Sequence, residues 1–317
     1  MTQPSRTMKK FAFVFPGQGS QSVGMMQAFA GSGVVRAVFA EASEVLGEDL
    51  WKLVSEGPAE ALNSTVNTQP LMLVAGYATY RAWIEASGAE PAIVAGHSLG
   101  EYTALVAAGA IAFRDAVPLV RFRAEAMQAA VPVGAGAMAA ILGLDDDAVR
   151  KACADSAAGE VVEAVNFNAP SQVVIAGHKG AVERAGLAAR AAGAKRALML
   201  PVSAPFHSSL LEPADERLAG YLENVRVEAP RIPLVNNVDV AAADDPAAIR
   251  HALARQARSP VRWVEVVRWM AAAGVTDVVE CGPGRVLAGL TRRIVPGVRG
   301  HAVTDPQSLA QTMEALK

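Results

Sequence analysis

The chain has 317 residues, enough for one large domain or a large domain carrying a smaller insert. Hydrophobic residues make up 52% and charged residues 19%, with a net charge of −2. These values describe an ordinary globular protein and argue against a nucleic-acid footprint or a surface for anionic membranes.

Arg6, Lys9 and Lys10 precede the apolar run FAFVF (11–15), an arrangement similar to a signal peptide. The run is too short for one, and no stretch approaches a membrane span, so a soluble cytoplasmic protein is expected. FAFVF reads as a buried strand, followed by the glycine-rich turn PGQGSQ (16–21). Helical periodicity covers 34–46 and 70–87, then come the strand AIVA (92–95) and helices near 99–109 and 114–130. Short apolar strands alternating with helices predict a parallel sheet covered on both faces.

The pattern changes at PVGAG (132–136). Strands are expected at 137–144, 161–168, 172–177 and 195–202, with helices at 145–156 and 179–193. That β-α-β-β-α-β order is ferredoxin-like and predicts an inserted subdomain over 131–201. The main domain would then comprise 1–130 and 202–317. Its second part resumes with a helix near 208–223, a strand at PLVNN (233–237), helices near 247–256 and 260–273, a strand at TDVVE (276–280) and a helix after it. Cys153 and Cys281 offer neither a disulfide framework nor metal-ligand spacing and read as small buried residues.

Chemistry concentrates at GHSLG (96–100), a G-x-S-x-G pentapeptide between an apolar strand and a helix. Gly96 and Gly100 leave room for a sharp turn, and the helix beginning near Leu99 aims its N-terminal amides at whatever Ser98 attacks. A serine hydroxyl needs a base, and five histidines compete for that role. His97 would point away from its neighbour Ser98, while His178 and His251 read as surface residues. His301 stands where an α/β-hydrolase places its base. His207, on the loop VSAPFHSSL leaving the insert, is favoured over it because that loop can overhang the Ser98 turn. No acid between Ser98 and His207 sits at a strand end suited to orienting a histidine, so a Ser-His dyad steered by a carbonyl or amide is expected. The Asp-Gly pair of patatin-like Ser-Asp hydrolases does not occur in the chain.

Seven motifs then occur in order: FVFPGQGSQ, GHSLGEY, LVRFRAEAMQ, NFNAPSQVVIAG, APFH, RSPVRW and ECGPGRVL. Together they resemble the malonyl-CoA:acyl carrier protein transacylases over about residues 10–295. The resemblance implies an α/β-hydrolase-like parallel-sheet domain with the inserted ferredoxin-like subdomain. It also implies an acyltransferase of fatty acid biosynthesis that works through a malonyl-serine ester. By the same resemblance, Ser98 is the nucleophile and His207 the acid and base. Gln18 and the amide of Leu99 form an oxyanion hole, and Arg123 clamps the malonyl carboxylate. Met127 and Asn168 occupy pocket positions, and Gln256 orients the histidine through its backbone carbonyl. Phe206 stands where many bacterial members carry serine, and would narrow the pocket beside the malonyl α-carbon. The implied partners are coenzyme A thioesters and acyl carrier protein, with no nucleic acid, membrane, metal or redox cofactor. Malonyl-CoA is a substrate, and the chain is expected to act as a monomer.

Overall fold

The computed structural model describes residues 9–87 and 89–317. Residues 1–8, and with them the Arg6 end of the basic stretch, lie outside the described residues. Among the described residues there are nine strands: β1 (Phe11–Phe15), β2 (Ile93–Gly96), β3 (Gly136–Leu142), β4 (Val162–Ala169), β5 (Gln172–His178), β6 (Arg196–Met199), β7 (Leu234–Val235), β8 (Asp277–Cys281) and β9 (Arg299–Val303).

Five of them form a parallel sheet in the order β7-β2-β1-β8-β9. The central strand β1 is buried along its whole length. Because successive side chains point to opposite faces, Phe11, Phe13 and Phe15 feed one core and Ala12 and Val14 the other. Phe13 sits edge-on to Trp83 at 5.3 Å and to Tyr80 at 5.8 Å, while the opposite core is built around Trp263, Val266 and Met270.

The remaining four strands form an antiparallel sheet in the order β4-β5-β3-β6, the ferredoxin-like arrangement. Helices Asp146–Ser156 and Lys179–Ala191 cover one face with their own core of Ile141, Val149, Ile175 and Val182. The edge strand β4 is stitched to the chain at Val261: Phe167 N donates to Val261 O at 3.0 Å and Val261 N to Val165 O at 2.8 Å. Gly136, at the start of β3, lies so close to the loop before His207 that a Cβ there would come within 2.4 Å of Pro205. The two sheets therefore meet beside the segments that carry RSPVRW and APFH.

Several elements depart from the sequence expectation. The helix expected from 70 begins at Thr65 and carries Pro70 inside it, and two short helices, Leu50–Glu56 and Ala59–Asn63, precede it. A proline reads as a helix opener, which placed the expected start too late. The strand expected at 233–237 shortens to two residues, because Asn236 and Asn237 commit their side chains to turn and loop contacts. Beyond Pro296 the chain adds β9 and the helix Pro306–Leu316. β9 is partly exposed and polar at the edge of the sheet, so it lacks the apolar run that marks its neighbours. No helix among the described residues is long and apolar enough to cross a membrane.

Candidate active site

Ser98 lies two residues past the end of β2 and two before the start of the helix Gly100–Ala107. Its φ of 52° places a non-glycine residue in the left-handed region, the strained geometry of a nucleophile turn. The flanking glycines are there for close approach: a Cβ on Gly96 would lie 1.8 Å from Gly100 C, and one on Gly100 would lie 2.0 Å from Phe15 O. Polar groups hold the turn on both sides. Asn237 Oδ1 accepts from Ser98 N at 2.7 Å, and Gln256 Nε2 donates to Ser98 O at 3.1 Å.

His207 also has a left-handed backbone, with φ of 67°, and is 4% exposed. Its Nε2 lies 2.7 Å from Ser98 Oγ and its Nδ1 lies 2.9 Å from Gln256 O. The partners fix the proton positions. A carbonyl only accepts, so Nδ1 carries the hydrogen and Nε2 is left as the acceptor for the Ser98 hydroxyl. Arg123 Nη2 donates to Ser98 Oγ at 3.1 Å, which agrees with a serine whose own proton points to the histidine. Burial, then the nearby Arg123 charge, pushes the His207 imidazolium down to about 3, so the ring is the neutral form a base requires. His301, the alternative base, lies on β9 with Nε2 2.8 Å from Asp277 Oδ1.

Arg123 extends from the inward face of the helix Phe113–Ala129 and is 1% exposed. It donates to Gln69 Oε1 at 2.6 Å and to Gln256 Oε1 at 2.9 Å, and lies over the Tyr102 ring at 5.2 Å. No carboxylate among the described residues pairs with it directly. Arg121, two residues away, instead makes a bidentate surface pair with Glu48.

A cavity of about 120 Å³ opens on Ser98 and His207. Gln18, Leu99, Arg123, Met127 and Phe206 line it, so seven of the residues singled out from sequence converge there. The Gln18 carboxamide is engaged with Thr65 Oγ1 at 3.1 Å, which leaves its backbone N–H as the donor available to an oxyanion. Gln256 stands behind the cavity wall, fully buried. Asn168 does not line it: its Oδ1 is taken by His97 Nε2 at 2.8 Å, and the lining asparagine is Asn166. Sequence reasoning also passed over Gln69, Asn237 and Glu101. Gln69 and Asn237 adjoin apolar segments with no distinguishing spacing, and Glu101 reads as an ordinary first-turn acid.

The arrangement can activate a hydroxyl, hold an anion at Arg123, and place amides of a helix start and a glycine-rich turn beside the reacting oxygen. Comparison with known proteins gives these groups a context. A model of the acyl transferase domain family matches residues 12–304. The chain is 56% identical to the malonyl CoA-acyl carrier protein transacylase of Escherichia coli K12 over 308 residues, covering 97% of this chain and 100% of that one. It is 43% identical to the Bacillus subtilis 168 enzyme of the same name, covering 98% of each chain. Among solved structures, an acyl-carrier-protein S-malonyltransferase from Burkholderia pseudomallei 1710b superposes with a TM-score of 0.95 at 66% identity, covering 96% of this chain and 99% of that one. A malonyl-transacylase in complex with its type II PKS acyl-carrier protein superposes with a TM-score of 0.96 at 53% identity, covering 97% and 100%.

Proposed function

The chain belongs to the malonyl-CoA:acyl carrier protein transacylase family, and from that premise we propose that it moves a malonyl group from malonyl-CoA to the phosphopantetheine thiol of acyl carrier protein, supplying fatty acid synthesis. The observation that carries this reading is the shared hydroxyl: Ser98 Oγ meets both His207 Nε2 at 2.7 Å and Arg123 Nη2 at 3.1 Å. One oxygen thus touches a neutral base and an anion-binding fork.

In the first half-reaction Ser98 Oγ attacks the thioester carbonyl carbon while His207 Nε2 takes the hydroxyl proton. The oxyanion of the tetrahedral intermediate is met by the backbone amides of Gln18 and Leu99. The C–S bond then breaks, and the leaving thiolate takes the proton from His207. Gln256 O holds the Nδ1 hydrogen throughout, so the imidazolium formed in transit stays oriented. In the second half-reaction the carrier-protein thiol gives its proton to His207 and attacks the ester carbonyl, and Ser98 Oγ recovers the proton as it leaves. Arg123 receives the free malonyl carboxylate. On acylation the Ser98 oxygen becomes an ester oxygen, a poorer acceptor than the hydroxyl, so one donor of the guanidinium becomes available for that carboxylate. Met127, Phe206 and the apolar part of the wall surround the short acyl chain. The narrow cavity restricts water, which protects the ester from hydrolysis. All of these groups come from one chain, which supports a site that works in a monomer.

Initial rates with malonyl-CoA and the pantetheinylated carrier protein test the reading. Double-reciprocal plots at several carrier concentrations should be parallel, with malonyl-carrier protein formed and little free malonate. Intersecting lines, or malonate released at the same rate without any carrier, would contradict it.

A further inference from the structure

Arg123 is a buried cation without a directly paired carboxylate, and a charge so placed is costly unless a counter-charge lies near it. The carboxylate whose charge bears on it is Glu101. Glu101, in the first turn of the helix behind Ser98, is 1% exposed and accepts from Asn237 N at 2.8 Å. The Gln256 side-chain amide and the Arg123 charge both pull its carboxyl downward. The oxygen of that amide accepts from Arg123 Nη2 at 2.9 Å. Arg123 and Gln256 bond to Ser98 directly, and Glu101 reaches it through Asn237, so a buried cation, amide and carboxyl are gathered around the nucleophile.

We propose that Glu101 is a specificity-determining residue: it is the resident counter-charge of Arg123, and it takes up a proton when the carboxylate of a malonyl group replaces it in that role. The inference rests on the reading that Arg123 meets that carboxylate. Other groups facing Glu101 leave the balance to these two. Asp239 opposes its ionisation from the loop after β7 but is itself paired with Arg255 at 2.8 Å. Burial keeps Tyr102 un-ionised, with its hydroxyl pushed up to about 12. Burial also holds His97 and His207 below the ordinary histidine range, so both are neutral.

Burial raises the Glu101 carboxyl to about 7, against the opposing pull of the Asn237 N–H, the Gln256 amide and Arg123. Both of its charge states are thus accessible near neutral pH in the free protein. A second anion sharing Arg123 raises the carboxyl further, as two carboxylates sharing one site cannot both ionise freely. Between the free and the occupied values, malonyl binding consumes a proton. Its apparent affinity then falls with rising pH, by up to about tenfold per pH unit, and is level below about pH 7. An acetyl group brings no carboxylate and has no such dependence. The malonyl:acetyl ratio of kcat/KM isolates the effect, because ionisations of Ser98, His207 and the CoA phosphates are common to both substrates.

The experiment measures Ser98 acylation by malonyl-CoA and acetyl-CoA from pH 6 to 9 in the wild type, Glu101→Gln and Arg123→Ala. The wild-type ratio should be level below about pH 7 and fall at least several-fold by pH 8.5, and Glu101→Gln should flatten it. A level wild-type ratio, or a fall that persists in Glu101→Gln, overturns the inference. Should Glu101→Gln fail to fold, proton uptake decides with the wild type alone. At pH 8, acylation by malonyl-CoA should take up more protons than acylation by acetyl-CoA, read with an indicator dye in weak buffer. Equal uptake overturns the inference. Arg123→Ala separates the two claims: a ratio unchanged from wild type removes the carboxylate role of Arg123 and this inference with it. A lowered ratio in Arg123→Ala beside a pH-independent wild type removes this inference alone.

Discussion

Asn237 holds Ser98 by its backbone amide, accepting from Ser98 N at 2.7 Å while its Nδ2 donates to Gly96 O at 2.7 Å. One side chain at the end of β7 thus ties together the two residues that flank His97 on the strained turn. Asn237→Ala should leave the half-buried Ser98 N–H without its partner, at a cost of about 1 kcal/mol. The expected result is a lower melting temperature together with a similar loss of kcat/KM for malonyl-CoA and acetyl-CoA, because the hydroxyl itself is misplaced. A selective loss of one substrate would show that Asn237 acts on the acyl pocket instead.

His207→Ala should lower transfer by about 10²–10⁴-fold, the range of a general acid–base group, whereas His301→Ala should leave turnover nearly intact. The bond from His301 to Asp277 ties β9 to β8 far from Ser98, so its loss should appear in stability. The depressed imidazolium of His207 adds a pH prediction. A lowered value favours the neutral ring, so acetyl transfer should stay level from pH 8 down to about 5. An acid limb centred near the ordinary histidine value of about 6.5 would contradict that assignment.

Arg123→Ala should lower malonyl transfer by about 2–5 kcal/mol in kcat/KM, the typical cost of removing one partner of a desolvated charge pair. Acetyl transfer should fall far less, since it has no carboxylate to strand. Arg121→Ala is the control on the same helix, as its guanidinium is spent on Glu48 at the surface. Equal losses for both substrates in Arg123→Ala would make the arginine structural.

Phe206 lines the cavity immediately before His207 and is 8% exposed. Phe206→Ser should raise the methylmalonyl:malonyl ratio of kcat/KM. One methyl group is worth only about 1–3 kcal/mol in a pocket, so the change should be modest. An unchanged ratio would mean that the α-substituent points elsewhere.

The Ser98 turn was legible because its glycines obey close-approach sterics that no other residue satisfies, and the insert because its strands and helices keep clean periods. Arg123 was legible through the family resemblance, and helical spacing places it on the buried stripe with Leu119, Val120 and Met127. Asn166 was not, because β4 shifts register between Ala164 and Asn166 and again between Phe167 and Ala169, and such irregularities break the alternation from which facing is inferred. Asn237 and Glu101 were hidden for a different reason. Their importance lies in hydrogen bonds to residues 139 and 136 positions away, and nothing local marks either of them.

The most direct measurement is the intact mass of the protein after brief exposure to malonyl-CoA, before and after adding pantetheinylated carrier protein. The wild type should gain one malonyl group, mapped to the GHSLGEY peptide, and lose it to the carrier, whereas Ser98→Ala should gain none. An adduct that persists in Ser98→Ala, or one that the carrier does not discharge, would contradict transfer through a Ser98 ester.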